Sequence, residues 1–181
     1  MTQYLKILKD SDIFSSSKIE KPIEYAERQT VKAIVFNEKG EVALVTNPIH
    51  NLYSFPGGGA ENNNLESEIT RECLEEINQE VEILGIIGTI KELRDRDAKK
   101  YITTCFVARA IKKVKKDTRT KSEIENGLNV VWVSKKKLKN IFEIQDKKVS
   151  AGEIIFYNTA FNIVRDSEFL REYLKNYEER K

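Results

Sequence analysis

The chain has 181 residues, 40% hydrophobic and 33% charged, a balance that fits one folded soluble domain and excludes a disordered or low-complexity chain. With 31 basic and 29 acidic residues the formal net charge is +2, so no overall electrostatic case for a nucleic-acid partner exists. No apolar run approaches the roughly 20 residues that span a bilayer, and the opening MTQYLKILKDSD is too short and too broken by lysine for a secretory leader. Cys73 and Cys105 are far apart in apolar surroundings and read as buried free thiols of a cytoplasmic protein. A single histidine, His50, leaves carboxylates as the natural carriers of chemistry.

Residues 1–27 form a polar lead-in of weak periodicity, with a loop at Ser15, Ser16 and Ser17, and are expected to pack on the domain as an N-terminal extension. Thr30–Phe36 and Glu41–Thr46 are apolar and β-branched around the turn Asn37-Glu38-Lys39-Gly40, which predicts a hairpin. Asn47-Pro48 breaks it, Leu52–Phe55 makes a short strand, and Pro56 with Gly57, Gly58 and Gly59 ends that strand. From Leu65 to Asn78 the period becomes helical: Leu65, Ile69, Cys73 and Ile77 recur every four residues, with Asn63 or Asn64 as the N-terminal cap and Asn78 as a left-handed stop. Val81–Leu93 and Tyr101–Ile111 read as a long strand pair joined by the polar residues 95–100. The lysine-rich 112–121 tract reads as a solvated loop and Leu128–Val133 as a further strand. Ser134 caps a short helix that turns Leu138 and Ile141 inward, and two helical segments close the chain, the second from Ser167. Strands interleaved with helices predict an α/β domain with a mixed sheet covered on both faces.

The informative stretch is FPGGGAENNNLESEITRECLEEIN, residues 55–78. At about 100° per residue, Glu68, Glu72, Glu75 and Glu76 share one side of the helix, away from the Ile69–Cys73–Ile77 stripe. Like charges at this spacing repel by a few tenths of a kcal/mol per pair. A hard divalent cation such as Mg²⁺ or Mn²⁺, which prefers oxygen ligands, would offset that. Arg71 neighbours Glu75 at i+4, and the glycines let backbone approach a metal or phosphate.

A glycine loop followed by R-E-x-x-E-E on a helix resembles the Nudix box, carried here by Gly58, Arg71, Glu72, Cys73, Glu75 and Glu76, with Glu61 at a frequent acidic loop position. The resemblance implies a Nudix-type α/β/α sandwich over residues 28–145, with 146–181 as C-terminal helices of the same domain. It departs from the pattern in two places. The loop is one residue short, which leaves Asn64 where a glutamate is expected and Glu66 as its substitute; Asn78 and Gln79 stand where glycine and an aliphatic residue are usual. The resemblance further implies Glu72, Glu75, Glu76 and the Gly58 carbonyl as ligands of Mg²⁺ or Mn²⁺. It implies hydrolysis of a diphosphate linkage in a nucleotide, a dinucleotide polyphosphate, a sugar nucleotide or an RNA cap-like substrate. The expected general base is Glu72 or Glu76, with Glu123 and Glu125 as distal candidates, and Arg71 is expected to position the carboxylates. Candidate substrate contacts are Arg28, Tyr53, Phe55, Arg94 and Arg96, with Lys100 and Tyr101 behind them. The alternative is a catalytically weak nucleotide-sensing domain of the same fold. A small nucleotide-like molecule is the expected partner and a membrane is not; RNA bound through the lysine tract is less favoured, and a homodimer stays open.

Overall fold

The computed structural model describes residues 3–14, 20–50, 52–114, 125 and 127–178. Its layering follows from the strand β2 (Ala26–Phe36). Successive side chains of a strand point to opposite faces, and here Val31, Ala33 and Val35 are buried in one cluster while Ile34 is buried in another. A sheet apolar on both sides has to be covered twice. One cover is the helix α2 (Leu65–Ile77), which lays Ile69, Cys73 and Ile77 against the Val31 face. The helices α3 (Lys135–Ser150) and α4 (Tyr157–Tyr173) contribute Leu138, Phe142, Phe161 and Phe169 to the Ile34 cluster on the other.

The remaining elements in chain order are β1 (Lys6–Lys9), the single turn α1 (Asp10–Ile13), β3 (Val42–Asn47), β4 (Leu52–Ser54), β5 (Gln79–Arg94), β6 (Lys99–Lys113) and β7 (Asn129–Val133). The sheet runs β1-β5-β6-β2-β3-β4, with β7 on the other edge of β3. It is mixed: β1 lies parallel to β5 and β2 parallel to β6, and the other pairs are antiparallel. This is the α/β architecture that the sequence predicts.

One irregularity creates the site. β2 and β3 pair only at Phe36–Val42; farther along, β4 takes over the edge of β3 at Val45–Ser54. The vacated edge of β2 is filled by residues 56–60. Val31 N–H donates to the Gly58 carbonyl (2.9 Å), Ala33 N–H to Pro56 (3.0 Å), and Ala60 N–H to Gln29 (3.0 Å). The glycine segment therefore sits within the sheet layer, with α2 on one side and α4 on the other. Helix side chains hold the approach to it: Gln145 brackets Tyr53 by bonding both its N–H and its carbonyl, and Asp166 Oδ2 accepts from Phe55 N–H at 3.0 Å.

Three expectations need revision. Residues 6–9 form a strand; β1 is a four-residue edge strand with only Leu8 buried, too short to show a period. The tail is one helix through Ser167 and then a π-helical turn, Leu174–Glu178. Asp166 and Ser167 read as a break because they are polar, yet both are buried, and Ser167 Oγ donates to Asp146 Oδ1 at 2.6 Å. The helix that Ser134 caps, by accepting from Lys137 N–H, is 16 residues rather than short. The serine tract at 15–17 and most of the lysine tract, from 115 to 121, lie outside the described residues.

Candidate active site

Local sequence sets α2. Asn64 caps it by accepting from Ser67 N–H (3.1 Å), and Asn78 ends it in the left-handed conformation at φ 58°. With the Ile69–Cys73–Ile77 stripe buried, the carboxylates are carried to the edge of the glycine segment. Glu76 Oε2 accepts from Gly57 N–H at 2.7 Å. A side chain on Gly58 would put its Cβ 2.8 Å from both Glu72 oxygens, so glycine there is what lets that carboxylate lie against the backbone. Gly57 is fixed for another reason: its φ is +132° and a Cβ would fall 2.1 Å from the Val31 carbonyl oxygen.

Arg71 organises the acidic group. Its guanidinium reaches Glu68 (2.9 Å), Glu72 (2.7 Å) and Glu75 (2.7 Å), and it donates to the Gly59 carbonyl at 3.3 Å. The substitute for the missing loop glutamate is thus Glu68, one helical turn before Arg71, and not the exposed Glu66. Glu68 also accepts from Glu61 N–H and Asn62 Nδ2, which ties the shortened loop to the helix. Arg71 holds the Glu68 carboxyl below the ordinary range, and the three carboxylates, Glu68 first, hold the guanidinium pKa up. Burial pushes the Glu72 carboxyl the other way, above its ordinary value, against the pull of Arg71. Buried Cys73 and Cys105 are raised by desolvation and are inert as thiols.

The donor set suits a hard divalent cation. It is all oxygen: Arg71 pairs with Glu68, Glu72 and Glu75, and Glu76 lies on the Gly57 N–H. Among the described residues no three acidic groups converge on one point, because Arg71 occupies the middle of the cluster. The Gly58 carbonyl spends one lone pair on Val31 N–H and keeps the other.

Across the glycine segment lies a cleft of about 300 Å³. β2 lines it with Arg28, Thr30 and Lys32, and α4 adds Asn158, Asn162 and Arg165. Lys32 is buried in the apolar half of β2 and donates to the Phe55 (2.9 Å) and Gly57 (2.6 Å) carbonyls. Arg94 enters from the end of β5. It pairs with the fully buried Glu92 (2.8 Å), donates to Asn158 (2.6 Å) and Asn162 (3.0 Å), and lies over Tyr101 with 4.3 Å to the ring centroid. Behind it, burial opposes the Arg165 charge, but Asp166 at 2.8 Å and Glu92 at 3.8 Å outweigh it and hold the pKa up.

The structure places Arg28, Arg94 and Tyr101 on the cleft wall. Tyr53 flanks β3 and Asn129, outside the cleft. Phe55 is fully buried, stacked on Phe142 at 5.0 Å. Arg96 lies over Tyr157, and Lys100 pairs with Glu27 at 2.5 Å. His50 sits edge-on to Phe156 at 4.5 Å. Glu125 is exposed, and Glu123 lies outside the described residues. Sequence reading passed over Lys32, Glu92 and the Asn158–Asn162–Arg165 stripe. The available signals were a lysine inside TVKAIVF, Glu92 and Arg94 two apart on one strand face, and polar residues at i, i+4 and i+7 of a tail helix.

No curated protein matches the sequence. Among solved structures, the chain resembles a NUDIX hydrolase from Nitrosomonas europaea at TM-score 0.55 and 14% identity, over 78% of this chain and 88% of that one. It also resembles a MutT protein from Methanosarcina mazei Go1 at TM-score 0.49 and 23% identity, over 88% of this chain and 100% of that one. The family model described as the NUDIX domain matches residues 26–152. The match takes in the β2 hairpin, the glycine segment, α2, the β5–β6 pair and the whole of α3. The chain belongs to the Nudix family.

Proposed function

We propose that this chain cuts the diphosphate linkage of a nucleoside diphosphate derivative, using Mg²⁺ or Mn²⁺ held by Glu72, Glu75, Glu76 and the Gly58 carbonyl. The observation that carries the reading is the pairing of opposites across one glycine segment: carboxylates on the α2 side, cations on the β2 side. A diphosphate laid along that segment meets metal-binding oxygen donors on one side and guanidinium and ammonium groups on the other. The chemistry supplied by a bound cation is charge neutralisation at the diphosphate and acidification of the attacking water.

The rest falls to the protein's own groups. Arg71 spaces the carboxylates and anchors them to the Gly59 carbonyl. Glu76 and Lys32 fix Gly57 from opposite ends of its peptide units, through N–H and carbonyl respectively. Glu72 or Glu76, both set against the glycine segment, accepts the proton of the attacking water. Arg28 and Lys32 steady the diphosphate oxygens, and Glu123 and Glu125 are distal alternatives for the base.

The test is release of phosphate or nucleotide from a panel of nucleoside triphosphates, dinucleotide polyphosphates, sugar nucleotides and a cap analogue, each with Mg²⁺ and with Mn²⁺. Turnover that disappears in Glu72→Gln and Glu76→Gln supports the reading. Binding without turnover in the parent as well as in Glu76→Gln would favour the nucleotide-sensing alternative.

A further inference from the structure

We propose that a second cavity, at the C-terminal end of α2, takes the nucleobase of the substrate; this rests on the hydrolytic reading above, in which the glycine segment holds the diphosphate. The cavity measures about 260 Å³ and is lined by the last turn of α2 and by β5, β6 and β7. Its floor is apolar. Val133 belongs to the cluster on the α4 side, so strand alternation turns its neighbour Trp132 the other way, where the indole packs on the Ile69–Cys73–Ile77 cluster and stays partly exposed. Ile77 and Val130 complete that floor. The carboxamides of Gln79 and Asn129 stand over it. Gln79 is only 8% exposed, yet its carboxamide has no hydrogen-bond partner among the described residues. A buried amide without a partner is costly, and one that lines a cavity is satisfied by what enters it. Gln79 also borders a depression at the β2–β3 turn, but that one has no aromatic wall.

The lining selects against an anion and for a flat, uncharged group. Glu76 contributes a carboxylate, the end of α2 carries the negative pole of the helix dipole, and the one cation, Lys113, is exposed to solvent. A nucleobase matches each element in turn. Its π face stacks on the indole, and its edge presents adjacent donors and acceptors of the kind a carboxamide pairs with. Whole small ligands usually occupy about 300–1,000 Å³, so this cavity holds one part of a nucleotide and the remainder lies outside it. Glu76 supplies the connection: it lines the cavity, and its Oε2 accepts from Gly57 N–H at 2.7 Å. The base site therefore borders the segment on which the diphosphate lies. The cleft on the β2 side has little aromatic face left to compete. Arg94 covers Tyr101 and Phe161 there, at 4.3 and 4.9 Å to the ring centroids, and Phe55 is in the core.

Trp132 is the only tryptophan of the chain, so its fluorescence reports on this cavity directly. The experiment titrates the full chain, with Mg²⁺, against the α,β-methylene diphosphates of adenosine, guanosine, cytidine and uridine, which resist cleavage at that bond, and against methylenediphosphonate, which lacks a base. Excitation lies beyond the nucleotide absorption band, and affinities are measured in parallel by calorimetry. At least one nucleotide should change the Trp132 emission and bind about tenfold tighter or more than methylenediphosphonate, the gain expected of a stacked base. Methylenediphosphonate should leave the emission as it was. Gln79→Met, checked by circular dichroism, should weaken that nucleotide about fivefold and methylenediphosphonate by less than about twofold. If no nucleotide alters the emission, if methylenediphosphonate alters it as much, or if Gln79→Met leaves the gap in affinity untouched, the base site is wrong, and turnover of the substrate panel shows that the hydrolytic reading survives. If nucleotides bind with the emission change yet nothing in the panel is cleaved, the hydrolytic reading fails and the base site stands.

Discussion

The two sides of the glycine segment are built in different ways. On the α2 side the functional groups come from residues 57–76, a short contiguous stretch in which helix periodicity alone brings Glu68, Arg71, Glu72, Glu75 and Glu76 together. On the β2 side they come from residues 28–32, 92–101 and 158–166, and only the folded sheet assembles them. The acidic side has an exposed rim and a buried base: Arg71 and Glu75 keep 34% and 35% of their side-chain surface, whereas Glu68 and Glu72 keep 4% and 11%. The back of the cationic side is locked, with Glu92, Arg94, Arg165 and Asp166 each 4% exposed or less, while Arg28 at its mouth is exposed. A site that must accept a metal and release product needs movable ligands; a site that selects a substrate needs fixed ones.

The largest test of this contrast is a change on each side. Glu72→Gln should lower turnover by about 10²–10⁴-fold, the range of a lost general base, with little effect on unfolding by urea. Asp166→Asn should do the reverse. It leaves Arg165 with Glu92 at 3.8 Å as its remaining charged partner and weakens the acceptor for Phe55 N–H. Breaking a buried pair typically costs about 3–5 kcal/mol, so urea unfolding should show a loss of that order. If the two variants had the same profile, the division of labour would be wrong.

A finer probe sits on the shared backbone. Gly58→Ala puts a methyl 2.8 Å from the Glu72 oxygens, and Gly58 has no positive φ to strain. The carboxylate must shift by several tenths of an ångström. Misplacements of this size cost about 10–100-fold in rate, and the melting temperature should move little. An unchanged rate would mean that the position of Glu72 against the loop does not matter.

The same contrast explains what the sequence disclosed. The hairpin, α2 with both its asparagine caps, and the long β5–β6 pair were legible because each is encoded by a local period or a turn residue. Arg94 stands among the candidate substrate contacts, yet nothing near it in sequence says that it is 3% exposed, since Asn158, Asn162 and Phe161 arrive from α4. Lys32 was invisible for a related reason. A lysine in a strand is ordinarily placed at an edge, but here the split between β2 and β3 brings two free carbonyls to its ammonium. Glu68 stood in plain view on the acidic face, but its role as the anchor of Arg71 depends on how the shortened loop closes.

The smallest predicted effect concerns how the cationic wall is held from outside. Arg94 ends β5, and the turn after it is clipped at two points: Tyr25 Oη donates to Asp95 Oδ1 (2.5 Å), and Asp10 Oδ2 accepts from Asp95 N–H (2.8 Å) and from Tyr157 Oη (2.7 Å). The bond to Asp95, aided by partial burial, pushes the Tyr25 pKa up to about 12 from an ordinary value of 10.0. A group whose folded pKa lies above its unfolded one stabilises fully below the unfolded value and loses that contribution as pH rises through the folded one. The clip should therefore be intact at pH 9 and disappear between about pH 10 and 12. Other tyrosines and lysines titrate in the same window, so the measurement is a difference: urea stability of the parent minus that of Tyr25→Phe, followed from pH 9 to 12. That difference should be positive at pH 9 and shrink to nothing by pH 12. A flat difference would mean that the turn carrying Arg94 is held by Asp10 and Tyr157 alone, and that the rigidity of the cationic side comes from α4 rather than from the start of β2.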